Sequence, residues 1–119
     1  MYKYFTEEEL KCKCGCDNAA MDPLFMEKMD TLRETCGFPF VVTSAYRCPE
    51  YNNKVSTTGL NGPHTTGKAI DIAANSHQKY KIIKNLDSSI KRFGIAKTFI
   101  HIDNLSAGEG FPEEVIWTY

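Results

Sequence analysis

Isoleucines alternate with polar or small residues along two short stretches of the chain. In Ala69-Ile70-Asp71-Ile72-Ala73 the isoleucines fall on one side of an extended backbone, and Asp71 with its alanine neighbours falls on the other. Phe99-Ile100-His101-Ile102-Asp103 repeats the pattern, with His101 and Asp103 opposite Ile100 and Ile102. Two half-buried strands are predicted, each giving an isoleucine face to a core and a His or Asp face to a cleft. Just upstream lies Gly62-Pro63-His64-Thr65-Thr66-Gly67, where a turn at Gly67 would fold His64 back toward Asp71. Two imidazoles and a carboxylate converging on one cleft form the donor set of a zinc site with an open position.

The remaining pattern supplies the scaffold. Thr6 followed by Glu9 fits a capping box and predicts a short helical turn. Cys12-Lys13-Cys14-Gly15-Cys16 then reads as a tight loop. Asp22-Pro23 starts a helix, Phe25, Met29, Leu32 and Cys36 form its apolar stripe, and Gly37 ends it. Phe40-Val41-Val42-Thr43-Ser44 is a β-branched run and a predicted strand. Residues 45–60 are turn-rich and polar, a long ordered loop with one helical turn after Pro49. Ser76 is expected to cap a helix running to about Phe93, with Tyr80, Ile83, Leu86 and Ile90 near one face and Gly94 as its stop. A strand over 97–103, a glycine-containing loop over 107–110 and a closing strand over 115–119 complete the chain. The expected fold is α+β: one domain over residues 1–119, with a small, mainly antiparallel sheet, flanking helices and long active-site loops. The cysteine-containing segment 1–20 packs on it, and the long loop in so small a domain points to function.

Composition narrows the function classes. At 119 residues, 42% hydrophobic and 24% charged, the chain resembles an ordinary globular domain. A formal net charge of −1 gives no electrostatic footprint for nucleic acid. The lysines between Lys79 and Lys91 read as a solvated helix face, and His77 as a surface residue. Met1 to Leu10 carries Glu7, Glu8 and Glu9 and has no apolar run, so neither a signal peptide nor membrane insertion is expected.

Three blocks carry a family resemblance: Thr43-Ser44-Ala45-Tyr46-Arg47-Cys48-Pro49-Glu50-Tyr51-Asn52, then Gly62 to Ile72, then Phe99 to Asp103. In this order they resemble the D-alanyl-D-alanine carboxypeptidase family of zinc peptidases. That family includes D,D-carboxypeptidases and peptidoglycan endopeptidases and shares its fold with the Hedgehog signalling domain. The resemblance implies that His64, Asp71 and His101 hold one catalytic zinc ion. It implies that Arg47 clamps substrate, with Ser44 and Tyr46 as hydrogen-bonding groups at the substrate. The chemistry agrees, because two neutral imidazoles and one carboxylate leave zinc with net positive charge. Such an ion polarises a carbonyl and lowers the pKa of bound water to about 7. The planar donor fork of Arg47 suits a carboxylate or an oxyanion.

Two positions depart from the family pattern. Gly62 stands where serine is usual, and the expected effect is on local hydrogen bonding rather than on the metal. Thr98 stands where some members carry an acidic general base, three residues before His101. Asp103 shares a strand face with His101 and is assigned either as that base or as the group that orients His101. The implied activity is zinc-dependent hydrolysis of peptide bonds in peptidoglycan stem peptides, next to a D-amino acid. The alternative is a non-catalytic, zinc-containing binding module on the same scaffold, recognising cell wall or a protein partner. A monomer is expected, made in the cytoplasm and acting at the cell wall once released.

The five cysteines divide into two groups. Cys36 lies on an apolar stripe and reads as a core thiol. Cys12, Cys14, Cys16 and Cys48 admit three states: reduced thiols, a disulfide involving Cys48, or a second metal site.

Overall fold

In the computed structural model, which describes residues 2–119, five strands form one sheet. They are β1 (Val41–Ser44), β2 (Ala69–Ala73), β3 (Arg92–Ile95), β4 (Phe99–Asp103) and β5 (Val115–Thr118), in the spatial order β1-β2-β4-β3-β5. Neighbouring strands run antiparallel except β3 and β5, which are parallel. Helices α1 (Glu7–Leu10), α2 (Pro23–Cys36), α3 (Pro49–Val55) and α4 (Ser76–Asn85) complete the mixed α+β domain. None of the described helices is long and apolar enough to cross a membrane.

The isoleucine alternation sets the core. Ile70 pairs with Ile102 and Ile72 with Ile100 across β2 and β4, and all four are fully buried. Phe25, Met26, Met29, Leu32 and Cys36 of α2 belong to the same cluster. The Asp22 side chain accepts from the Phe25 N–H at 2.9 Å, and Gly37 caps the other end in the left-handed region at φ 75°. Segment 2–20 packs on this body, with Phe5, Leu10 and Cys12 in the core. The capping box of Thr6 and Glu9 forms as the sequence predicts. The backbone N–H groups of Lys3 and Tyr4 both donate to the Asp30 carboxylate on α2, each at 2.9 Å. Tyr46 N–H donates to the Leu10 carbonyl at 3.1 Å, tying α1 to the loop that follows β1.

The chain after β2 departs from expectation. The α4 helix stops at Asn85, with Asn75 rather than Ser76 as its capping residue, and residues 92–95 are a strand. A turn intervenes, in which Asp87 accepts from the N–H and the hydroxyl of Ser89. The apolar spacing from Tyr80 to Ile90 continues by coincidence across this turn. Of the expected stripe, Ile83, Leu86 and Ile90 pack on the core, Tyr80 is 64% exposed, and Ile82 is the fully buried residue of the helix. Within the long loop, α3 is longer than one turn, and two short 3-10 turns follow it, Gly59–Asn61 and Pro63–Thr66.

Candidate metal centre and active-site cleft

Asp71 and His101 are directly opposed across the β2–β4 ladder, on the face away from the isoleucines. His64 reaches them from the 3-10 turn Pro63–Thr66, which ends at Gly67 with φ 77°. Glycine is required there twice over. The left-handed backbone excludes most side chains, and a Cβ would overlap the Ala20 carbonyl oxygen. Gly67 O in turn accepts from Asp22 N–H at 2.8 Å, fixing the turn to the start of α2.

The three side chains are all buried, and their ligating atoms lie within 4.8 Å of one another. His64 Nε2 is 3.2 Å from Asp71 Oδ2, and His101 Nδ1 is 2.8 Å from Asp71 Oδ1. Each imidazole is held from behind. His64 Nδ1 lies 2.7 Å from the Ala45 carbonyl, which can only accept, so this nitrogen carries the proton and Nε2 is left facing the site. His101 Nε2 lies 2.7 Å from Asp103 Oδ2 and donates to it, leaving Nδ1 for the site. Burial alone would lower the basicity of His101, but hydrogen bonds to Asp103 and Asp71 outweigh it and raise the pKa. Burial likewise acts to raise Asp71, yet the two histidines hold its carboxyl well below the usual carboxylate range.

This donor set fits a tetrahedral zinc ion. With metal–ligand bonds of about 2.0–2.1 Å, ligand atoms sit about 3.3 Å apart, close to the spacing found here. Two nitrogens of opposite ring position and one carboxylate converge, and an acceptor occupies the outer nitrogen of each imidazole.

Asp103 is fully buried, and both of its oxygens are engaged. Oδ2 takes the His101 proton, while Oδ1 accepts from Arg92 Nε at 2.7 Å and from Leu105 N–H at 3.2 Å. Of the two roles considered for it, this position is that of the group orienting His101. Burial pushes its pKa up, but His101 and Arg92 prevail and keep it ionised. Arg92 was not singled out from sequence, and no local motif marks it. Its role comes from register, since it pairs with Asp103 on the neighbouring strand. Its guanidinium also donates to the Pro112 carbonyl at 2.8 Å and lies 5.0 Å from the Trp117 ring centre and 5.2 Å from that of Phe111.

The site opens into a cleft of about 720 Å³ whose walls include Arg47, Thr57, Phe99, Phe111, Trp117 and Tyr119. Arg47 lines it as expected. Its N–H donates to the His64 carbonyl at 3.1 Å, and its Nη1 donates to Asn52 Oδ1 at 3.1 Å. Asn52, another residue that sequence reasoning passed over, is fully buried and also donates to Thr58 Oγ1 and the Gly59 carbonyl. Ser44 and Tyr46, expected at the substrate, border a small cavity that shares Arg47 and Val55 with the cleft, and Tyr46 is buried in the core. The Ala45 carbonyl between them turns toward His64, and Ser44 pairs with Asp71 across β1 and β2. Gly62 is closely surrounded. More than hydrogen bonding is at stake, since a Cβ there would overlap Thr58 Oγ1 and crowd Asn52. Thr98 is exposed, and among the described residues lining the cleft Asp71 is the only carboxylate.

The other predicted group also assembles. Cys12, Cys14, Cys16 and Cys48 bring their sulfurs within 4.8 Å of one another, and no disulfide joins any described cysteines. Cys36 stands apart in the core, as the sequence indicated. His77 is exposed on α4.

The α+β scaffold carries a buried His-Asp-His group lining a cleft, a donor set that could hold a metal ion, and the family match makes it a metallopeptidase. More particularly, the chain belongs to the peptidase M15 family: the family model described as Peptidase M15 matches residues 3–103. Peptidases of this family are zinc-dependent and include D-alanyl-D-alanine carboxypeptidases. The matched segment contains His64, Asp71, His101, Asp103 and Arg92, whereas Phe111 and Trp117 lie beyond it. No curated protein matches the chain.

Proposed function

We propose that the protein hydrolyses peptide bonds in bacterial peptidoglycan stem peptides, at a bond next to a D-amino acid, using one zinc ion held by His64, Asp71 and His101. The observation that carries this reading is the buried Asp71–His101 cross-strand pair with His64 Nε2 turned onto it, at the floor of a cleft that also holds Arg47. Zinc held by these three residues would supply Lewis-acid polarisation of the scissile carbonyl and an activated water near neutral pH. The chain's own residues supply position and charge. Asp103 keeps His101 in the tautomer that presents Nδ1, and Arg92 keeps Asp103 ionised. Asn52 holds the Arg47 fork in the cleft, where it binds a substrate carboxylate or a developing oxyanion. Phe99, Trp117 and Tyr119 give the cleft apolar walls against which a peptide packs and which exclude water.

The scarcity of carboxylates in the cleft favours one second reading, a zinc-containing module that binds wall peptides or a protein partner without cutting. One experiment separates the two. Zinc-loaded protein is incubated with purified peptidoglycan and synthetic stem peptides, with and without a chelator, and the products are read by mass spectrometry. Chelator-sensitive release of single D-alanine identifies a carboxypeptidase, and release of longer or uncross-linked stems an endopeptidase. Intact stems across several wall types, with zinc bound, would overturn the hydrolytic reading in favour of the binding module.

A further inference from the structure

Cys12, Cys14 and Cys16 alternate with Lys13 and Gly15 in the loop after α1, while Cys48 sits at the N-cap of α3 without using its side chain as a cap. Left-handed backbone at Gly15 (φ 94°) and Asp17 (φ 61°) curls the loop, and Cys12 N–H closes it on the Asn18 carbonyl at 2.8 Å. The sulfurs meet as a group and not as a pair. Cys12 lies 3.4 Å from Cys14 and 3.7 Å from Cys48, and Cys14 lies 3.5 Å from Cys48. Cys16 completes the set, all four sulfurs being within 4.8 Å of one another.

These spacings discriminate among the possible states. A disulfide needs sulfurs about 2.05 Å apart and joins only two of them. Here three pairs are almost equally spaced, and none stands out as the pair to bond. Four thiolates around a zinc ion with bonds of about 2.3 Å lie about 3.8 Å apart, which the observed separations approach. Cys14 and Cys16 are exposed, yet their sulfurs lie in one group with those of Cys12 and Cys48. The Cys48 N–H also donates to Cys12 Sγ at 3.3 Å, a contact that favours a thiolate.

We propose that Cys12, Cys14, Cys16 and Cys48 form a second, closed metal site that binds zinc as a structural tetrathiolate. The ion cross-links residues 36 apart in sequence and fastens the N-terminal loop to the start of α3. Because Cys48 follows Arg47, and Arg47 N–H donates to the His64 carbonyl, the same cross-link stiffens the backbone that carries two residues of the cleft. With all four positions taken by sulfur, the ion has no place for substrate water and acts through structure alone.

The test counts metal and identifies its ligands, without reference to activity. The protein is purified under reducing conditions, and zinc per chain is measured in the unaltered chain, in the His64→Ala/His101→Ala variant and in the Cys14→Ser/Cys48→Ser variant. Cobalt is then exchanged for zinc in each. The expected result is two zinc ions in the unaltered chain and one in each variant. Cobalt in the histidine variant should show intense sulfur-to-metal charge-transfer absorption and tetrahedral ligand-field bands, and cobalt in the cysteine variant should lack the charge-transfer absorption. If the cysteine variant fails to fold, the cobalt spectra of the unaltered chain and of the histidine variant still decide. The proposal is overturned if neither shows sulfur-to-cobalt charge transfer, or if intact-mass measurement of the unaltered chain finds the four cysteines joined as disulfides.

Discussion

The His64–Asp71–His101 group and the four-cysteine group are both sets of donors brought within 4.8 Å, yet they are assembled in different ways. The first depends on the sheet. Two of its members are a register pair on central strands, all three are buried, and behind them stand Asp103 from the same strand as His101 and Ala45 and Arg92 from two further segments. The second depends on local chain. Three of its members fall within five residues of one loop, only Cys12 is buried, and the fourth, Cys48, meets them from the start of α3. A site built on packed strands keeps its shape without its ion, whereas a site built on a loop takes its shape from the ion.

The comparison can be broken most severely at the histidines. Replacing His64 or His101 by alanine should abolish zinc at the sheet site and reduce peptide hydrolysis to background while leaving the thiolate ion in place, as metal analysis and product mass spectrometry would show. Loss of both ions together would mean that the two sites are not built independently. Next in size is Asp103→Asn. It removes the charge opposite Arg92 in the core, so denaturant unfolding should show a loss of about 3–5 kcal/mol. Titration in metal buffers should show about 10–100-fold weaker zinc binding at the sheet site.

Arg47→Ala should leave zinc stoichiometry unchanged and lower turnover by about 10²–10³, the cost of removing one donor at a developing oxyanion. Lost zinc in that variant would make Arg47 part of the site's framework. Gly62→Ala is expected to cost about 1–3 kcal/mol through the overlap with Thr58 and Asn52, measured by thermal or denaturant melts. It should raise KM or lower turnover only as far as it disturbs Asn52 and hence Arg47.

The sheet site was largely legible in the sequence because its signals are local. Period-2 alternation placed Asp71 and His101 opposite the isoleucines, and the glycine at position 67 announced the turn that returns His64. What the sequence hid depends on contacts between distant strands. Arg92 lies where the helical spacing of Tyr80, Ile83, Leu86 and Ile90 masked the turn at Asp87 and the start of β3. With β3 unread, neither the Arg92–Asp103 pair nor the packing of Trp117 over Arg92 could be anticipated. The thiol group showed its members but not its state, because cysteine spacing within a loop does not specify where a fourth sulfur arrives from another part of the chain.

The most direct measurement is a crystal structure with anomalous scattering recorded on either side of the zinc absorption edge. The account predicts a zinc peak bounded by His64 Nε2, Asp71 and His101 Nδ1, with Asp103 behind His101, and a second peak among the four sulfurs. Density for a zinc-loaded protein without a peak between His64, Asp71 and His101 would contradict it.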